Sequence, residues 1–216
     1  MVYLILTCFV IFAILILSYH FYGERALITI GIGSAIGANF YNIRLFPFIV
    51  FGFNSGIDIC LFSLFVFCIA LSLIIHGRKS AINLLITVIC AIIFTAILEF
   101  LAIISSTGLF EKAALNFVSF IVFVFAIFVS GMVSIFVFEK LKNSLPIIVN
   151  ITIFIILSNF IKTVIDIIYL TILKDNINII GSIIGISTAL IFSIITYIII
   201  KKYPYKEKIQ IVHTIK

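Results

Sequence analysis

Charge is what this sequence has least of. Only 10% of its 216 residues are Asp, Glu, Lys or Arg, against about 25% in soluble domains. With 64% hydrophobic residues and a mean hydropathy of +1.43, there is too much apolar surface for a soluble fold of this size to enclose. Motifs of site chemistry are missing too. There is no Cys-x-x-Cys, no His-Glu-x-x-His and no Gly-rich phosphate loop. The three histidines, His20, His76 and His213, stand at the ends of apolar runs or in the tail, where none can join a buried triad. An intramembrane enzyme needs an inward nucleophile with its base, or a metal. Neither catalysis nor a metal or cofactor is therefore expected. The cysteines, Cys8, Cys60, Cys68 and Cys90, lie inside apolar runs with no His beside them. They read as small buried hydrophobes, not as metal ligands or a disulfide framework.

What is present is a series of long apolar runs separated by short polar breaks. Runs of this length are helices; barrel strands alternate over only about 10 residues. The expected fold is an all-α integral membrane bundle of seven transmembrane helices. They fall at about 2–22, 26–43, 57–75, 82–104, 114–138, 147–173 and 177–200. Together they make one domain over residues 1–203, followed by a basic cytoplasmic tail, 204–216. The first run has no basic residue ahead of it, and Ser18-Tyr19-His20 is a poor cleavage site, so it reads as a retained helix. Tyr19, His20 and Tyr22 are expected at its interface end.

Gly33 and Gly37, with Ser34 and Ala38, form a small-residue face in the second run, and Gly181 and Gly185 form one in the seventh. Such spacing lets backbones approach closely. Arg44, Pro47 and the Gly52–Gly56 stretch make an irregular connection, with Arg44 as an interface anchor. The third run has no ionisable residue between its ends. Ser130 and Ser134 in the fifth are placed to bond their own backbone or a neighbouring helix.

The net charge of +6 is not a nucleic-acid signal, because the basic residues cluster at helix ends. Arg25, Arg78, Lys79, Lys140, Lys142 and the tail residues Lys201, Lys202, Lys206, Lys208 and Lys216 share one side of the expected topology. Arg44, Lys112 and Lys174 share the other. The richer side is expected to be cytoplasmic, with the amino terminus outside and the carboxy terminus inside the cytoplasmic membrane.

One basic residue belongs to neither side. Lys162 lies near the middle of the sixth run, with Asp166 four residues on. A charge at the centre of a spanning helix costs roughly 2.5–3.5 kcal/mol, and such residues face the bundle interior and mark a pathway or a pair. The spacing puts both on one helix face, with Ser158 one turn before and Asn159 beside it. Two readings stay open: a self-neutralising pair that locks packing, and a lining for a polar solute. Glu99, a lone carboxylate in the second half of the fourth run, is either solvated near the interface or inward-facing.

From the second run onward the pattern resembles the queuosine-precursor transporter family, of the vitamin-uptake-transporter type. The resemblance rests on Ala38-Asn39, on the Gly77-Arg78-Lys79 boundary, on the exit Phe138-Glu139-Lys140-Leu141-Lys142 and on Ser158-Asn159-Phe160-Ile161-Lys162-Thr163. It covers about residues 26–200 and implies six family-like helices and import of 7-deazapurines such as 7-cyano-7-deazaguanine. Asn39, Asn159 and Thr163 match the family's motifs residue by residue. The departures are specific. Ser72 and its neighbours stand where the family usually has an acid, Gly131 and Ser134 stand where it has Gln and Asp, and Lys162 stands where it has Asp.

The leading expectation is a transporter of a small polar solute, nucleobase-like or vitamin-like. Lys162 would donate to the solute, Asn39, Asn159 and Thr163 would line its site, Asp166 would orient Lys162, and Glu99 would couple a proton. The alternatives are a non-transporting scaffold or partner subunit, and the substrate-binding subunit of an energy-coupled importer. Expected partners are membrane lipid and a small-molecule solute, not nucleic acid. A second copy of the chain is a further candidate.

Overall fold

The centre of the molecule is the third apolar run, which has no charged residue between its ends. In a computed structural model, which describes residues 2–42, 57–107, 110–173 and 179–203, that run is helix α3, Ile57–Ile75. Six other helices surround it among the described residues: α1 (Val2–Tyr22), α2 (Glu24–Asn42), α4 (Arg78–Thr107), α5 (Phe110–Leu141), α6 (Ile147–Leu173) and α7 (Ile179–Lys202). They close a ring in the order α1, α2, α4, α5, α6, α7 and back to α1, and each also packs on α3. Every described side chain of α3 from Ile59 to Leu73 is buried except Leu61, which is partly so. A helix hydrophobic on all sides suits a protein core or a lipid-facing span, and α3 takes the core. The ring helices keep exposed apolar faces, for example Phe9, Leu17 and Phe21 on α1 and Phe94 and Leu101 on α4.

Four helical stretches are long and apolar enough to cross a membrane: Arg78–Ser105, Phe117–Leu141, Ile147–Tyr169 and Gly185–Lys202. With their exposed apolar faces, these describe an all-helical membrane protein. No strand occurs among the described residues.

Local sequence explains the turns. Gly23 alone links α1 to α2, with φ +56° and its N–H bonded to Tyr19 O at 2.9 Å. Gly77 links α3 to α4 with φ +87°. Both lie in the left-handed region that glycine adopts without steric cost. Pro146 precedes the first turn of α6, where its missing N–H costs no helical hydrogen bond. Buried Asn150 reaches back from α6, its Nδ2 donating to Leu141 O at 3.3 Å and Leu145 O at 3.4 Å. α4 and α5 each run about a turn beyond the expected apolar limits at both ends. Arg78, Lys79, Glu139 and Lys140 are good helix formers and prolong the helices past the apolar zone.

Several expectations need correction. Tyr19, near the end of α1, is turned inward: it is 4% exposed, on the stripe Cys8, Phe12, Leu15 and Tyr19. Phe12 of that stripe lies 5.9 Å from the Phe67 ring of α3 and 5.8 Å from Phe192 of α7. The close face of α2 is not Gly33 with Gly37. Gly33 is exposed, and a Cβ there would meet nothing within 4 Å. Gly31 and Gly37 make the approach, with Leu84 Cδ1 and Leu61 Cδ1 each 3.2 Å from where their Cβ would stand. Two cysteines are not simple hydrophobes. Cys8 and Cys60 form a disulfide between α1 and α3, S–S 2.09 Å, because the inward stripe of α1 faces the start of the central helix. Cys68 is buried as expected, but Cys90 is on the exposed side of α4. The connection around Arg44 and Pro47, the Lys174–Asn176 break and the basic tail lie outside the described residues; of the two α7 glycines Gly181 and Gly185, Gly185 is buried.

Candidate functional site

The inward face of α6 is polar because its sequence places Ser158, Asn159, Lys162 and Asp166 within two turns. That face meets α3 on one side and α5 on the other. Each polar group on it has a specific partner. Ser158 donates to Ser134 of α5 at 2.6 Å. Asn159 Nδ2 donates to Ser63 of α3 at 3.0 Å and to Ile155 O at 2.9 Å, while its Oδ1 lies 3.2 Å from the same serine hydroxyl.

One turn further on, Lys162 is 4% exposed. Its Nζ donates to Asp166 Oδ2 at 2.5 Å. The ammonium also lies 5.4 Å from the ring centre of Phe62 on α3 and 5.7 Å from that of Phe123 on α5. A desolvated cation over an aromatic face gains about 2 kcal/mol, which offsets part of the cost of taking it out of water. Lys162 therefore points neither outward nor toward either end. It is held where α3, α5 and α6 meet. Asp166 is less enclosed, with 20% side-chain exposure. One turn beyond it, Tyr169 shares a 2.5 Å hydrogen bond with Ser119 of α5.

The remaining expected site residues are placed as follows. Thr163 is half-buried beside Lys162. Asn39 belongs to the last turn of α2, but its side chain lies outside the described residues. Glu99 is on α4, which α5 separates from α6 in the ring. Both of its carboxylate oxygens are buried, and neither has a hydrogen-bond partner among the described residues. The structure thus brings Asn159, Lys162 and Asp166 into one cluster and leaves Glu99 apart from it.

A second polar cluster was not foreseen. At the end of the bundle where α1 meets α2 and α3 meets α4, Ser80 donates to Glu24 Oε1 and shares a 2.7 Å hydrogen bond with buried Ser72. His76 Nδ1 lies 3.9 Å from Glu24 Oε2. Beside them Arg78 is 3.3 Å from Glu139 of α5. Through Ser80, Ser72 of α3 is linked to a carboxylate from another helix. Ser63 and Ser134 were likewise not paired in advance, since nothing in sequence links residues 96 and 24 positions apart. Among the described residues, no group of three or more His, Cys, Asp or Glu could hold a metal ion.

Comparison with protein-family models, with curated proteins and with solved structures finds no match.

Proposed function

We propose that this chain is a membrane transporter for a small polar solute, crossing the bilayer seven times with its basic end in the cytoplasm. The observation that carries the reading is the Lys162–Asp166 pair, buried at the junction of three helices. A charge pair at that depth is costly to maintain. Two hydrophobic side chains of similar volume would serve packing as well. An ion pair also gives a solute something to compete with: a carbonyl or ring nitrogen accepts from the ammonium, and a ring N–H donates to the carboxylate. Because α3 fills the middle of the ring, the solute's path runs between α3 and the α5–α6 edge, where Asn159 and Thr163 flank Lys162. Glu99 supplies the proton-coupling group. The resemblance in the α6 motif favours a 7-deazapurine as the solute class.

The test is uptake of labelled 7-cyano-7-deazaguanine, and restoration of queuosine in tRNA, in cells that cannot make the precursor. Expression of the chain should give both, and Lys162→Met with Asp166→Leu should abolish both while the protein accumulates normally. Uptake no greater than in cells lacking the chain would overturn the solute. Unchanged uptake in the double variant would overturn the site.

A second reading has its own observation. Ser158 and Asn159 are satisfied by Ser134 and Ser63, which is what a scaffold with polar cross-links requires. On that reading the double variant folds, assembles with its partner and loses nothing.

A further inference from the structure

Between the first turn of α6 and the last turns of α7, the basic end of the bundle carries an open groove of about 600 Å³. Its lining is Pro146, Ile147, Ile148, Tyr197, Ile198, Lys201 and Lys202. We propose that this groove is a binding site for one anionic phospholipid, its headgroup phosphate held by Lys201 and Lys202 and its upper acyl chains lying against Ile147, Ile148 and Ile198.

Three observations carry the assignment. First, the apolar wall is turned outward. Ile147 is 43% exposed, Ile148 41% and Ile198 50%, so the groove opens on the side of the bundle that faces lipid. Second, polarity changes along it in the order a phospholipid does. Ile198 is followed one turn later by Lys201 and Lys202, both exposed, and a turn advances about 5.4 Å. That step is of the size separating the acyl ester region from the phosphate. Third, the charge is of one sign. Among the described residues, no acidic one lines the groove. Lys202 sits 5.6 Å from the Tyr203 ring centre, a contact that leaves its N–H donors available to a phosphate. The N–H groups opening α6 add a smaller contribution of the same sign.

Basic pockets between helices at one membrane surface recognise anionic headgroups, each Lys near the surface contributing about 1 kcal/mol. The proposal does not depend on what the bundle transports. It requires only that the chain is embedded in lipid.

The experiment is native mass spectrometry of the full chain released from detergent micelles, with added dioleoyl phosphatidylglycerol or dioleoyl phosphatidylcholine. The expected result is one retained phosphatidylglycerol adduct at a concentration about tenfold below that needed for phosphatidylcholine. Lys201→Gln with Lys202→Gln should erase that preference, and Lys201→Arg with Lys202→Arg should keep it. Lys140→Gln with Lys142→Gln removes the same charge from the same end but not from the groove, and should also keep it. Ile148→Trp fills the apolar floor without touching charge and should weaken the adduct, so the test survives if the lysine variant misfolds. Equal losses in the two Lys→Gln pairs would show diffuse attraction and overturn the site. So would full retention in Ile148→Trp, or displacement of the lipid by inorganic phosphate.

Discussion

The polar face of α6 and the carboxylate of α4 are both carried by apolar helices, yet the protein treats them differently. Ser158, Asn159 and Lys162 each meet a partner from the protein, two of them on neighbouring helices. Glu99 has two buried oxygens and, among the described residues, a partner for neither. Paired groups hold helices in register, so removing one leaves the other stranded. An unpaired carboxylate adds no hydrogen bond between helices, so its removal strands no partner. Loss of a paired residue should therefore be read in stability as well as in uptake, and loss of Glu99 in uptake alone.

The largest effect is expected at Lys162. Lys162→Met strands Asp166 in a low-dielectric site, and breaking a buried pair costs about 3–5 kcal/mol. The lower end applies, because Asp166 keeps 20% exposure. Adding Asp166→Leu should recover most of that loss, since hydrophobic replacement of both partners is often neutral. Unfolding in mixed detergent micelles measures all three proteins. A single variant as stable as the parent would mean that the pair is solvated and the contrast with Glu99 is empty.

Next comes the link between α6 and the central helix. Asn159→Leu removes the bonds to Ser63 and should cost about 1 kcal/mol, the scale of polar contacts between membrane helices. Ser63→Ala should cost similarly, and the double variant should show that the two losses are coupled rather than additive. Ser134→Ala, which removes only the hydroxyl that Ser158 meets, is expected nearer about 0.6 kcal/mol. If Asn159→Leu were neutral in stability while uptake disappeared, the bonds to Ser63 would be dispensable for packing and Asn159 would serve the solute alone.

How much of this was legible follows from the range of each interaction. The Lys162–Asp166 pair is local to one helix, so its spacing alone brought the groups within reach. The positions of all seven helices were legible for the same reason: apolar length is a local property. The third run's lack of internal charge did not by itself announce a position inside a closed ring of six. Ser63 could not be matched to Asn159 without that arrangement. Gly33 misled because small residues at four-residue spacing announce a close face without saying which rotation the helix adopts; Gly31 and Gly37 point inward instead. Cys8 and Cys60 misled similarly, since their pairing depends on α1 lying against the start of α3. The Glu24–Ser80–Ser72 chain joins three helices at one end, and none of its members is unusual in its own segment.

The smallest effect on stability, and the sharpest test of the contrast, is expected at Glu99. Glu99→Gln keeps the shape and hydrogen-bonding capacity of a carboxyl group and removes its ability to ionise. Neither oxygen has a partner to lose among the described residues, so unfolding should shift by no more than about 0.5 kcal/mol. An ionised carboxylate buried without a partner is unfavourable, so any shift should be toward greater stability. The variant's effect should appear instead in uptake, as loss of accumulation against a gradient while exchange of solute across the membrane continues. That separation is specific to a coupling group: a solute ligand would lose exchange as well, and a packing residue would lose stability first. Destabilisation by more than about 1 kcal/mol would show that Glu99 is held by something the hydrogen bonds do not reveal, and would place it with Lys162 rather than against it.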